Sequence, residues 1–569
     1  MRPFRPWRWL LMAAALTLLL LGGLEGYRLF RTYQDLSQGK ALLASALATL
    51  EGKGREGPEA RVGGTSAEGP EARVGWVRME TDHRELALVR AEVQEAGSRL
   101  RRATDLLERD PALLLLARVP PLGRQLTGAT ALAHMGVEAS AIGVEAIEAI
   151  LTLDNMKQTQ EEPLSERIVP FLKAVEPKMV AMQAGVERVE RSRQGLARQG
   201  LWGPLAGALH DVDAPLARGR ELLASYQRAA RLAPQLLGYD RPRRYLVLAM
   251  DNTEILPAGG FILVFGFLSL DQGRLAGLSF TSVDSIYRPW RQAGGYIEPP
   301  RPLRDYLLRG WPLGLGEASW WPDFPTAARK AIDLYREESR EQGPIDGVVG
   351  INFFTLERLL DVLGPVPIER YGVTLDSRNV TATILIVTHP DLLRPWETHR
   401  YDFVSFLAEA IIGRALRADP SRWAAMLTLL GELGAEKNLL LYSLEPEVRE
   451  AVAELGWDAP VRGWDGDYLM MADANVRSTK LNLVVRFSAD VEVRIDRYGN
   501  AHNTVALSYS NDYVDWATGQ DPRLASLVIA GGDLPAYGNY LRLLVPARSR
   551  VGRVWEEGRE GPEARAGGA

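Results

Sequence analysis

Asn252 and Glu254 follow the apolar run Tyr245-Leu246-Val247-Leu248-Ala249-Met250 and precede Gly259-Gly260. A strand that ends in polar side chains just before a turn is where α/β folds place groups that meet a ligand. The same residues also suit plain turn chemistry, because Asn and Gly tolerate φ > 0. Asp284 closes a later stretch, Leu275 to Val283, as a ligand group or as the side chain of an Asx turn. Arg394, His399 and Arg400 stand ahead of a helical pattern at about 400–417. Guanidinium forks there could grip phosphate oxygens, and a solvated helix start explains them as well. Asp323 before Phe324-Pro325-Thr326 reads as a helix N-cap.

Several chemistries are excluded. The chain has no cysteine, which removes disulfides, thiolate nucleophiles and Zn–Cys sites. Its six histidines include no pair at H-E-x-x-H spacing. No G-x-x-x-x-G-K-[ST] phosphate loop and no G-x-S-x-G elbow occurs. Lys+Arg 67 against Asp+Glu 72 gives a net charge of -5, with no basic face for nucleic acid. An apolar fraction of 46% and a charged fraction of 24% are those of a globular chain, and 569 residues exceed one ordinary domain.

The elements that would position these residues form an α+β multidomain protein: a transmembrane helix, a helical stalk, a three-layer α/β domain and a C-terminal β-rich unit. Residues 1–30 hold the anchor. Trp9 to Leu24 carries no charge, and with its flanks reaches the roughly 20 residues that cross a bilayer. Arg2, Arg5 and Arg8 precede it without an acid among them, which places the N-terminus in the cytoplasm and the bulk outside. A cleaved signal peptide fits less well, because Ala44-Ser45-Ala46 lies far beyond the apolar core.

Residues 31–235 read as the stalk. Leu86, Val89, Val93, Ala96, Leu100, Ala103 and Leu107 alternate steps of three and four, the seam of a coiled coil or helical hairpin. Pro120-Pro121 is expected to break it, with helices at about 125–153, 163–198 and 205–233. Such a stalk packs on itself, or binds a protein partner or a second copy. GREGPEAR at Gly54–Arg61 recurs at Gly558–Arg565. A repeat so poor in apolar residues cannot build a core, so 52–75 reads as an insert and 551–569 as a repeat-derived tail. Residues 240–480 alternate strands and helices. In 481–550, Val491, Val493, Ile495 and then Val505, Leu507, Tyr509 alternate about Tyr498-Gly499-Asn500, which predicts a β-sandwich-like unit, apparently cut short.

Asn252-Thr253-Glu254 with Pro257-Ala258-Gly259-Gly260-Phe261, then Asp323-Phe324-Pro325-Thr326, Ile345-Asp346-Gly347-Val348 and Leu363-Gly364-Pro365-Val366, resemble the bacterial domain-of-unknown-function family 4012. Gly466-Asp467-Tyr468-Leu469 and Asn475 to Lys480 fit it too. That family has no settled activity. More distantly, Ile345 to Val348 followed by Phe354 and Leu359-Leu360-Asp361-Val362-Leu363-Gly364 is similar to the LytR-CpsA-Psr family. That resemblance implies glycopolymer transfer from a polyprenyl pyrophosphate, with arginines on the phosphates and a divalent metal beside aspartate. Asp284 would then hold the metal, and Arg394 and Arg400 the pyrophosphate. Val283 stands where that family has an arginine before its aspartate, Leu256 where family 4012 has one, and Asn352 where an aspartate is usual.

Two readings follow. In the first, an anchored envelope protein binds a polyprenyl-phosphate-linked or glycan ligand through Asn252, Glu254, Asp284, Arg394 and Arg400, with or without residual transferase chemistry. In the alternative it is a non-enzymatic scaffold. Convergence of Asp284, Arg394 and Arg400 in one cleft would separate them.

Overall fold

The structure is a computed structural model. It describes residues 31–32, 34–46, 83–155, 164–197, 200–201, 203–388, 402–416, 418, 420–463, 466–529, 535–556 and 559–560. The span expected at Trp9 to Leu24, the insert at 52–75, Arg394, Arg400 and much of the tail therefore lie outside the described residues. Among the described residues no helix is long and apolar enough to cross a membrane. The chain forms two compact units, residues 1–234 and 235–569.

The first unit is helical: α1 (residues 34–46), α2 (His83–Arg109), α3 (Pro111–Leu116), α4 (Pro120–Asn155), α5 (Leu164–Ala197), α6 (Gly203–His210) and α7, which begins at Asp213 and ends at Leu236. The heptad seam is its core along α2, with Leu86, Val89, Val93, Ala96, Leu100 and Ala103 all buried. Gly39 of α1 and Gly136 of α4 let those helices close on Leu100, since a Cβ at either would come within 2.8 Å of its side chain. The break falls earlier than Pro120-Pro121. The Asp110 carboxylate accepts from the Ala112 amide at 2.9 Å and caps α3, whereas Pro120 opens α4, because a first-turn proline loses no helical hydrogen bond. The helix expected at 205–233 is divided at 211–212 into α6 and α7.

The second unit is built on a five-stranded sheet in the order β3-β2-β1-β4-β7. Its strands are β1 (Arg243–Asp251), β2 (Phe261–Asp271), β3 (Arg274–Ser282), β4 (Gly347–Asn352) and, after the short pair β5 (Val366–Ile368) and β6 (Val373–Leu375), β7 (Leu439–Ser443). β1 runs antiparallel to β2 and parallel to β4. Alternation along β1 sends Leu246, Leu248 and Met250 to one face and Ala249 to the other. On the first face lie α8 (Asp284–Gln292), a π-helical turn at Leu303–Leu308, a 3-10 turn at Leu315–Trp320 and α9 (Phe324–Ser339), whose Ala327, Ala328, Ala331 and Ile332 meet the sheet. On the second lie α10 (Phe353–Leu363), α11 (Val380–Val387) and α12 (Asp402–Leu416). Helices on both faces of the sheet give the expected three layers. α13 (Pro420–Ala435) and α14 (Pro446–Leu455) flank β7.

The C-terminal part departs from the expected sandwich. β8 (Met470–Ala472) pairs with β11 (Arg542–Leu544). β9 (Val485–Ile495) and β10 (Ala501–Asn511) form one two-stranded ribbon, followed by the short helices α15 (Tyr513–Ala517) and α16 (Pro522–Val528) and the small hairpin β12 (Trp555–Glu556) and β13 (Arg559–Glu560). Alternation reports that a strand has two unlike faces; it does not report how many layers cover them. Residues 474–484 are also part of the α/β packing. Ala474 and Val476 join the core on the α9 face, while Leu481 and Val484 join the core on the α10 face. This stretch is a strap that passes from one face of the sheet to the other.

Candidate functional site

β1 and β4 are parallel, so their carboxyl ends emerge together, with Met250 opposite Asn352. β3 ends at Ser282 opposite Val264, beside the same end of the sheet. Asn252, Glu254, Asp284 and Asn352 thus share the edge where α/β sheets bind ligands. The loop from β1 to β2 turns through Gly259 and Gly260 at φ 129 and 136. Position 260 must be glycine, because a Cβ there would lie 2.2 Å from the Asp251 carbonyl oxygen.

Asp251, the last residue of β1, is 0% exposed. Its Oδ1 accepts from the Thr253 amide at 2.8 Å and the Thr253 hydroxyl at 2.5 Å. Its Oδ2 accepts from Lys480 Nζ, which also donates to Glu254 Oε2 at 3.3 Å. Lys480, 8% exposed, comes from the strap. Two further strap residues hold the same loop. The Asn475 amide nitrogen donates to the Ile255 carbonyl at 2.9 Å, and Asn482 Oδ1 accepts from the Ile255 amide at 3.2 Å and from Asn475 Nδ2 at 3.0 Å. Asn482 Nδ2 in turn donates to the Tyr537 hydroxyl at 2.9 Å. Asn252 Oδ1 is shielded from solvent and has no hydrogen-bond partner.

Asp284 begins α8 and accepts from Arg288 one turn on, at 2.9 Å. The Asx turn considered for it is replaced by an ion pair. Asn352 is a helix cap: its Oδ1 accepts from the Thr355 amide at 3.0 Å, and its Nδ2 donates to Asn438 Oδ1 at 2.9 Å. Asp323 caps α9 as expected, taking the Thr326 amide at 3.0 Å and, on its other oxygen, the Val461 amide at 2.9 Å.

Two more acids lie behind this edge. Glu317 Oε2 accepts from the Gly314 amide at 3.0 Å, and Glu338 Oε1 from the Leu315 amide at 2.6 Å. Burial pushes the Glu317 carboxyl up to about 7, with a further rise from the charges of Glu254 and Asp284. Burial also pushes Glu338 up to about 8, with Glu317 adding to the shift, and Glu338 Oε2 has no hydrogen-bond partner. Tyr287 closes over the pair: its hydroxyl donates to the Pro312 carbonyl at 2.9 Å, and burial holds it well above the usual phenol range.

The structure therefore brings Asn252, Glu254 and Asp284 to one end of the sheet, the latter two within electrostatic reach of Glu317. Arg394 and Arg400 lie outside the described residues. Sequence reasoning missed Asp251, Lys480, Glu317 and Glu338; only the stretch Asn475 to Lys480 carried a signal, through family resemblance. The divalent metal implied by the LytR-CpsA-Psr likeness does not fit the described residues. Among them no group of three or more His, Cys, Asp or Glu side chains could hold an ion, and Asp284 is engaged by Arg288.

Residues 240–386 match the family described as "Protein of unknown function (DUF4012)". The matched DUF4012 stretch contains Asp251, Asn252, Glu254, Asp284, Glu317, Glu338 and Asn352, and stops short of the strap. No curated protein matches the chain. The X-ray structure of Lin1025 protein from Listeria innocua aligns with 50% of this chain and 99% of its own length, at 12% identity and a TM-score of 0.22. A likeness at that level carries no argument.

Proposed function

We propose that this protein is a non-enzymatic scaffold of the cell envelope, anchored by a helix at Trp9 to Leu24 with its N-terminus in the cytoplasm. In this reading the carboxyl edge of the sheet holds the fold together and does not grip a lipid-linked phosphate. The observation that carries it is Lys480, whose ammonium lies between Asp251 and Glu254. A phosphate needs cations with donors to spare, and this one is committed to two carboxylates. Two carboxylates, Asp251 and Glu254, against the single Lys480 ammonium leave negative charge in excess there, which disfavours an anion. Glycopolymer transfer of the LytR-CpsA-Psr kind would require the opposite electrostatics.

The competing reading, a polyprenyl-phosphate-linked or glycan ligand with residual transferase chemistry, draws support from the unpaired Asn252 Oδ1, which suits a hydroxyl donor. Mass spectrometry of lipids extracted with the purified full-length chain separates the two. The scaffold reading expects no polyprenyl phosphate above the level found with an unrelated membrane protein prepared in parallel. Near-stoichiometric recovery of such a lipid would overturn it.

A further inference from the structure

The short helix α3 turns one leucine inward and three outward. Leu113 is buried, while Leu114, Leu115, Leu116 and the following Val119 are 51%, 64%, 40% and 43% exposed. Apolar side chains gathered in this way on the outside of a helical bundle mark a surface that meets more than water. The charge around them is one-sided. From Pro111 to Val137 the only Lys, Arg, Asp or Glu residues are Arg118 and Arg124, and both are exposed.

The contacts of α1 show which end of the bundle this is. Ala46 packs with Val89 and Val93, a Cβ on Gly39 would touch Leu100, and Asp35 lies 3.8 Å from both Arg99 and Arg102. Followed back toward its start, α1 therefore runs along α2 toward Arg109 and α3. The chain enters the first unit at the end that α3 occupies. Arg31 is one turn beyond Asp35, about 6 Å at helical rise. Arg102 to Asp110 is eight residues, about 12 Å on the same measure, so α3 begins within about 6 Å of the level of Arg31. Leu24, the last residue of the uncharged run, stands seven residues before Arg31. That tether spans about 10 Å at helical rise and about 25 Å fully extended.

We infer that the face of α3 from Leu114 to Val119 lies in the headgroup boundary of the bilayer that the anchor enters. This deepens the anchored-scaffold reading and rests on it, because it names a second contact with the same membrane. The tether holds one apolar phase within reach of α3, and the face has the composition that phase takes up: leucines without acids, edged by arginines that pair with anionic headgroups. Four side chains partition weakly by themselves. A bilayer already tethered to the chain need not be found by diffusion, so a weak contact holds there. Two points of contact, the anchor and α3, then restrict the tilt of the bundle against the surface.

The sequence has no cysteine, so single-cysteine variants of the full-length chain can each carry one environment-sensitive fluorophore in vesicles that contain an anionic lipid. Leu115→Cys reads the face. Leu88→Cys is the control, because Leu88 is as exposed, at 66%, and lies about 30 Å along α2 from Arg109. Nitroxide-labelled lipid is expected to quench the Leu115 probe several-fold more than the Leu88 probe. Adding Leu114→Glu should cut that quenching several-fold, because a carboxylate resists the acyl region, and since Leu114 is exposed the fold tolerates the change. Equal quenching at the two sites would overturn the inference. So would a Leu115 probe shielded from water yet unreached by the lipid quencher, the result that a protein partner or a second copy on this face gives. Flotation of the vesicles in alkaline carbonate reads the anchor separately. A chain that floats with an unquenched Leu115 probe refutes the α3 contact alone, whereas a chain stripped off by carbonate refutes the anchored reading and this contact with it.

Discussion

Replacing Lys480 with methionine is expected to destabilise the second unit by about 3–5 kcal/mol, the usual cost of breaking a buried ion pair from one side. The carboxylate left behind, Asp251, is fully buried and would keep only its bonds from Thr253. Adding Asp251→Asn to the same chain should recover most of the loss, because an amide no longer demands a counter-charge while its oxygen still accepts from Thr253. Urea unfolding of the wild type, both single variants and the double variant forms a double-mutant cycle. The expected coupling is at least about 2 kcal/mol. A Lys480→Met midpoint indistinguishable from wild type would show that the strap is not held in this way.

Raising the pH from 5 to 9 should cost the wild type stability that a Glu338→Gln variant keeps. The folded chain holds the Glu338 carboxyl up to about 8 and Glu317 up to about 7, against 4.5 for an ordinary glutamate. The folded state therefore binds more protons than the unfolded one between those values. Their contribution is fully present below about pH 4.5 and is lost as pH rises to about 8. For Glu338 the loss between pH 5 and 9 is on the order of 4 kcal/mol. Glu338→Gln removes the buried charge while its amide oxygen still accepts from the Leu315 amide. The variant should match wild type near pH 5 and melt several degrees higher near pH 9, at about 2–4 °C per kcal/mol for a unit of this size. A melting difference that does not change with pH would contradict the assignment.

Much of the α/β fold was legible because it rests on local signals. Tyr245 to Met250 reads as a buried strand, Asp323 as a cap and Gly259-Gly260 as a turn, and each is what the structure shows. The heptad seam was legible for the same reason. The site was only half legible. Asn252, Glu254 and Asp284 fall at one end of the sheet because strand ends mark it. What engages them did not show, since Lys480 meets Asp251 across a separation of 229 residues. Glu317 sits in the stretch Gly314-Leu315-Gly316-Glu317-Ala318-Ser319-Trp320, which has no period that would announce burial. Glu338, in the last turn of α9, reads as a solvated residue until the 3-10 turn packs on it. The sandwich expected in 481–550 failed for a different reason, since a single ribbon already satisfies the alternation.

The closing of the sheet's carboxyl edge by Lys480, Asp251 and Glu254 is the centre of this account. Titration calorimetry of a short-chain polyprenyl pyrophosphate into the full-length chain tests it most directly, with Arg394→Ala and Arg400→Ala as comparisons. No saturable heat is expected at millimolar ligand for any of the three proteins. A saturable isotherm for wild type that weakens about tenfold or more in Arg400→Ala, the loss of one charge-assisted contact, would contradict it and restore a phosphate-binding edge.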